Sequence, residues 1–253
     1  MKLVRDLRLL WWRKILETVR APVWIFMGLA TPLLYLGLFA PVLREFVGGP
    51  GFENGSVLDV FIPGILCLMA FGAGMGAGWI VIAELQTGVI ERLRVTPVSR
   101  FALLMGGVLR DTVMFLIPAL VVIAAALPFD YHPDAGGTAI LVGLLCLLTA
   151  ATSAWSAALG IVLRDIGSLA AVVTGLQLPL TLLSGILLPL SLAPAWLRGL
   201  AHVDPLYYTV QAARLLSTGT VGGRTVVEGI LVTAALTWIT LAWATRAYRK
   251  ATT

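Results

Sequence analysis

Six stretches of about twenty mainly apolar residues dominate this sequence, and each is long enough to cross the ~30 Å hydrocarbon core of a bilayer as a helix. They lie near 22–43, 60–83, 107–128, 138–162, 168–190 and 226–245. Of the 253 residues, 59% are apolar and only 12% are charged, against about 25% charged in a typical soluble domain. So little charge does not cover a water-facing surface, and a disordered chain would hold far fewer apolar residues. Inside lipid every backbone polar group needs an internal partner, which a helix supplies within each segment. The sequence therefore predicts an all-α polytopic membrane protein with six transmembrane helices.

The basic residues set an orientation. The N-terminal segment holds Lys2, Arg5, Arg8, Arg13, Lys14 and Arg20. Arg92, Arg94, Arg100 and Arg110 follow the second stretch, Arg164 lies in the turn after the fourth, and Arg246, Arg249 and Lys250 form the tail. Only Arg44, Arg198, Arg214 and Arg224 fall on the other side, and the loop at 129–137 carries Asp130 and Asp134 without Lys or Arg. This bias predicts cytoplasmic N- and C-termini and a cytoplasmic connection at 84–106. The net charge of +5 is thus read as topology, not nucleic-acid binding. Cys67 and Cys146 sit inside apolar runs with no disulfide or metal-ligand spacing, and no cleavable leader is expected from the basic first twenty residues.

Three segments are not simple spans. In 2–17, Leu3, Val4, Leu7, Leu10, Trp11 and Ile15 share one arc at 100° per residue. This predicts a helix lying in the inner membrane surface, with Leu9, Trp12 and Leu16 interrupting its polar face and Lys14 snorkelling from the apolar one. A basic topogenic leader is the plainer alternative. Residues 84–100 carry too much charge for lipid, and Leu85, Val89 and Leu93 recur every four residues, consistent with a short cytoplasmic helix ended at Thr96-Pro97. Docking of a soluble partner or an ordinary solvated loop both fit. Residues 184–225 are too apolar for an open loop, so two short external helices are expected near 193–201 and 205–216, the second with Asp204 as N-cap and Pro205 at its first position.

No Gly-x-x-x-x-Gly-Lys-[Ser/Thr] loop exists, so the chain lacks that means of holding nucleotide phosphates. His-Glu-x-x-His and Gly-x-Ser-x-Gly are also missing, and His132 and His202 read as ordinary loop residues. Arg110, Asp111 and Glu228 lie near span ends, whereas ion-coupled carriers bury such groups deeper.

At 84–99 the sequence resembles the permeases of the ABC-2 family, the membrane subunits of type V ABC exporters. Glu84, Gly88, Glu91, Arg92, Leu93, Thr96, Pro97 and Ser99 match the family's segment after its second span, while Gln86 and Val89 depart from it. A second resemblance runs through Pro179, Ser184, Gly185, Pro189, Trp196-Leu197, Pro205-Leu206, Tyr208 and Arg214, with Asp204 in place of asparagine. Arg94-Val95-Thr96-Pro97-Val98-Ser99-Arg100 is most similar to drug-resistance exporters of the daunorubicin type.

The resemblance implies a single ABC-2 domain over 1–253: interfacial helix 1–20, coupling helix 84–98, external helical hairpin 191–225 and cytoplasmic tail 246–253. It implies that Glu84, Gly88, Glu91, Arg92, Leu93, Thr96 and Pro97 seat the chain on a separate ABC ATPase, which binds ATP and Mg. It implies two permease copies and two ATPase chains in a bacterial or archaeal cell membrane, with a substrate route between the permeases. A transport subunit without enzymatic activity, moving an amphipathic drug or lipid-like substrate outward, is expected. The alternative is a self-sufficient secondary carrier or channel.

Thr174, Gln177, Thr181 and Ser184 fall within about a quarter of the helix circumference in the fifth stretch. Because the family's fifth span borders the central route, they are the candidate pathway residues. Thr149, Ser153 and Ser156, and Thr233, Thr237 and Thr240, form similar stripes read as interhelical hydrogen bonding. Gly72, Gly74, Gly76 and Gly78 make two overlapping Gly-x-x-x-Gly pairs, suited to close helix packing. Arg214 has Asp204 and Glu228 as candidate partners.

Overall fold

The computed structural model describes residues 2–20, 22–43, 57–89, 92, 99–129, 131, 133–186, 190 and 193–251, and among them every regular element is helical. In chain order these are α1 (Lys2–Val19), α2 (Pro22–Leu43), α3 (Val57–Met75), α4 (Ala77–Gln86), α5 (Arg100–Ala126), α6 (Ala135–Leu163), α7 (Ile166–Leu183), α8 (Ala195–Ala201), α9 (Pro205–Ser217) and α10 (Arg224–Ala251). Side chains close four helix starts, and of these the sequence predicts the cap at Asp204. Ser99 accepts from the Ala102 amide at 3.1 Å, Asp134 from Gly137 at 2.7 Å, Asp165 from Ser168 at 2.7 Å and Asp204 from Leu206 at 2.9 Å. Each satisfies an amide that the first helical turn leaves open.

Among the described residues, five helical segments are long and apolar enough to cross a membrane: Phe61–Gln86, Arg100–Phe129, Ala135–Leu163, Ile166–Leu183 and Arg224–Lys250. They correspond to the second to sixth apolar stretches. The first stretch forms the 22-residue α2, with a described apolar run at Gly28–Leu38. Two boundaries differ from expectation. The third stretch begins at Arg100, because the Ser99 cap starts the helix ahead of the purely apolar run. The fifth helix ends at Leu183 and not near 190, because the Ser184 hydroxyl folds back on the Thr181 carbonyl at 2.9 Å and Gly185 takes a left-handed φ of +73°. Glycine adopts that conformation without a Cβ clash.

α6 is the centre of the bundle, packed against α3, α4, α5, α9 and α10. Along its second half most inward positions are small, among them Ala151, Ser153, Ala154, Ser156, Ala157, Ala158 and Gly160, which lets neighbouring helices approach closely. α7 lies at the periphery, with 17% of its span window buried against 61% for Phe61–Gln86.

The second span is broken. α3 ends at Met75 and α4 starts at Ala77. Ser156 of α6 fills the gap, its hydroxyl donating to the Met75 carbonyl and accepting from the Gly78 amide at 3.0 Å. Backbone groups freed at membrane depth need a partner of this kind. Close approach makes it possible: a Cβ on Gly78 would lie 2.6 Å from the Ser156 carbonyl oxygen, and one on Gly160 would lie 2.6 Å from that of Gly78.

Candidate coupling site

α4 continues the second span to Gln86 and then turns. The Thr87 amide donates to Ala83 O at 3.0 Å and the Gly88 amide to Leu85 O at 3.2 Å, with Gly88 at φ +68°. A non-glycine residue would be strained there. Beyond it the Arg92 amide donates to Gly88 O at 3.1 Å, and the Arg92 side chain is exposed. Glu91, Leu93, Thr96 and Pro97 lie outside the described residues.

Glu84 sits one turn before this reversal and points into the bundle. Its carboxylate accepts from Lys14 Nζ of α1 at 2.8 Å, with the two side chains 11% and 9% exposed. The expected snorkelling of Lys14 is therefore corrected: the ammonium finds a carboxylate inside the protein. α1 packs on the start of α5, where Gly106 lets Leu10 approach to 3.2 Å of a would-be Cβ. Leu10 and Lys14, from the arc expected to face lipid, are instead buried in protein. Leu9, Trp12, Leu16 and Val19 form the exposed apolar stripe, and at 100° per residue these four share one face. Helical periodicity displays both faces of α1 but does not say which one the protein covers.

A second buried pair adjoins the first. Arg110 donates to Asp111 through Nε at 3.0 Å and through Nη2, and Ser153 of α6 donates to the other Asp111 oxygen at 2.5 Å. Lys14, Arg110, Ser153 and Tyr248 line one small cavity, and Lys14 is within electrostatic reach of Asp111. Five helices thus meet at a polar node just inside the base of the turning segment. The sequence places Arg110 and Asp111 near a span end; in the structure they lie well inside the Arg100–Phe129 segment and are buried, because the helix starts earlier, at the Ser99 cap. Their junction with Lys14 and Glu84 was not visible in the sequence, since Lys14 and Glu84 are 70 positions apart.

The profile of the family described as ABC-2 type transporter matches residues 5–216. The chain belongs to that family. Among its relatives, the daunorubicin resistance ABC transporter permease protein DrrB1 of Streptomyces coeruleorubidus is 23% identical, over 94% of this chain and 84% of its own length. The inner membrane transport permease YadH of Escherichia coli K12 is 26% identical, over 82% of this chain and 81% of its own. The transport permease named ycf38 of Cyanophora paradoxa is 27% identical, over 84% of this chain and 74% of its own. The protein is thus a multi-pass membrane permease, and its family implies association with an ABC ATPase.

Within this ABC-2 permease the α7 stripe divides. Thr174 is exposed and Gln177 half-buried, whereas Thr181 and Ser184 are buried. The Thr181 hydroxyl donates to the Gln177 carbonyl at 2.7 Å, so the two inner hydroxyls are satisfied by their own helix. Thr174 thus faces away from the bundle, with Gln177 at its edge. The glycines divide as well. A Cβ on Gly74 would lie 2.0 Å from Thr152 Oγ1 and 2.6 Å from the Ser153 amide nitrogen, while Gly72 has nothing within 4 Å. Gly74 and Gly78 pack on α6; Gly72 and Gly76 are exposed.

The other polar stripes cross-link helices. Thr149 donates to the Ala70 carbonyl at 3.1 Å, Thr237 to that of Leu147 at 3.0 Å, and Thr233 lies 2.8 Å from the Thr209 hydroxyl. Arg214 pairs with neither candidate carboxylate: its Nη2 donates to the Gly185 carbonyl at 2.7 Å. Glu228 pairs with Arg224 at 2.7 Å, one helical turn away on α10. Burial holds the Arg214 guanidinium below the usual arginine range. Burial also raises the Asp204 carboxyl to about 6, against the pull of its bond from the Leu206 amide.

Proposed function

We propose that this protein is the membrane subunit of an ATP-driven exporter, and that the segment from Gly88 to Val98 is the handle by which a separate ABC ATPase drives it. The reading rests on family membership over residues 5–216, joined to the sharp turn at Gly88 that ends a membrane-spanning helix immediately before the Glu91–Pro97 motif. Gly88, Glu91, Arg92, Leu93, Thr96 and Pro97 seat the handle, and Glu84 carries its motion inward. ATP and Mg bind to the ATPase.

In this reading α2 is the sixth span, both termini are cytoplasmic, α1 lies in the inner membrane surface, and α8 and α9 form the external hairpin. Two permease copies assemble with two ATPase chains. The route runs between the copies beside α7, where Thr174 faces outward with Gln177 at the edge. Its sparse charge suits an amphipathic drug or lipid, in keeping with the daunorubicin-resistance permease among the relatives. Direction follows from the difference in substrate affinity between the inward and outward states.

Co-expression with a candidate ABC ATPase tests this. A stable complex is expected, whose ATP hydrolysis in proteoliposomes rises when daunorubicin or another amphipathic compound is added. A Glu91→Arg variant is expected to insert normally and to lose stimulated transport. Nucleotide-free transport by the permease alone would establish a self-sufficient carrier or channel instead.

A further inference from the structure

The Lys14–Glu84 pair joins two parts of the chain that the proposed function treats separately, the N-terminal helix and the base of the handle. α4 is a ten-residue rod. One end is the interruption at Gly76, where the Ser156 hydroxyl bonds the Met75 carbonyl of α3 and the Gly78 amide of α4. The other end is the turn at Gly88. Glu84, near that turn, is the side chain through which α4 holds α1.

The node is electrically closed, since Lys14 and Arg110 balance Glu84 and Asp111. A buried ion pair adds little net stability compared with an apolar pair of the same volume. It does enforce register, because displacing one partner strands the other charge away from water. Such a pair makes two helices move together, whereas an apolar contact permits sliding.

We propose that α1 is a second output of the coupling segment. When the ATPase displaces the handle, α4 pivots at Gly76, and the Lys14–Glu84 pair makes the N-terminal helix follow. The stripe Leu9, Trp12, Leu16 and Val19 then changes its seat in the inner leaflet with nucleotide state. Lys14 acts here as a positioning residue. The inference rests on the ATP-driven reading above.

The test uses the full permease with its ATPase in nanodiscs containing anionic lipid, on a Cys67→Ala, Cys146→Ala background. An environment-sensitive fluorophore is placed on α1 at Val19→Cys or, separately, on the handle side at Gln86→Cys; both native side chains are exposed. ATP with vanadate is expected to shift emission at both positions. In the Lys14→Met, Glu84→Leu double variant, which strands no charge, the shift at position 19 is expected to fall several-fold while that at position 86 persists. The reciprocal exchange Lys14→Glu, Glu84→Lys is expected to restore it, which mere packing would not do.

An unchanged shift at position 19 in the double variant, or none there in the native pair while position 86 responds, overturns this inference and leaves ATP coupling standing. Silence at both positions overturns the coupling reading and this inference with it.

Discussion

The hydroxyl of Ser156 on α6 accepts the Gly78 amide of α4 at 3.0 Å, inside a break in the second membrane span. One serine thereby serves two backbone groups, since it also donates to the Met75 carbonyl. Ser156→Ala leaves both without that partner at membrane depth and is expected to cost about 1–2 kcal/mol, near the upper end for interhelical hydrogen bonds in membranes. Reversible unfolding in bicelles measures it; a loss below a few tenths of a kcal/mol would show that the break is satisfied in another way.

The two Gly-x-x-x-Gly pairs are expected to respond differently. Gly74→Ala drives a methyl into Thr152 and the Ser153 backbone, which forces α3 and α6 apart and costs about 1–3 kcal/mol or more. Gly72→Ala meets open space and stabilises the helix by up to about 1 kcal/mol. Thermal midpoints of the two purified variants, compared with the native protein, separate the cases.

Lys14 and Glu84 should show strong coupling in a double-mutant cycle. Lys14→Met alone strands a buried carboxylate and is expected to cost about 3–5 kcal/mol. Adding Glu84→Leu removes the stranded charge and should recover most of that loss. Additive single effects would mean that the pair is solvated.

Asp204 gives a pH signature at the start of α9. Its carboxyl is raised to about 6 in the folded protein, above the ordinary range near 4. The folded state therefore binds its proton more tightly than the unfolded chain. Stability is gained as pH falls through 6 towards 4 and is lost as pH rises through the same window. Asp204→Asn keeps an N-cap acceptor and removes the titration. Relative to this variant, the native protein is expected to gain thermal stability between about pH 7.5 and about pH 5.5. A constant difference across that range would count against the burial of this carboxyl.

The region of α8 and α9 shows what a sequence can carry. Asp204-Pro205 announced the start of α9 to the residue, because an N-cap and a first-turn proline act locally. Arg214 was open between two carboxylates and chose a backbone carbonyl. Asp204 accepts from the Leu206 amide through one oxygen and keeps the other buried without a partner, while Glu228 holds Arg224. Hydrogen-bond choice of this kind depends on which groups the fold brings within about 3 Å, and composition does not encode it.

The same division runs through the whole chain. By itself the sequence determined the helical class, five of the apolar stretches long enough to cross a membrane, the Asp204 cap and the family motif. Each follows from the length of an apolar run or from interactions within a few residues. Tertiary structure alone decided which face of α1 is buried, that Lys14 meets Glu84, and that α7 turns Thr174 outward while Thr181 faces in. The physical reason is that a helix repeats every 3.6 residues whatever lies beside it. Its neighbours choose the buried face, and Lys14 sits in the interior where the fold delivers the Glu84 carboxylate.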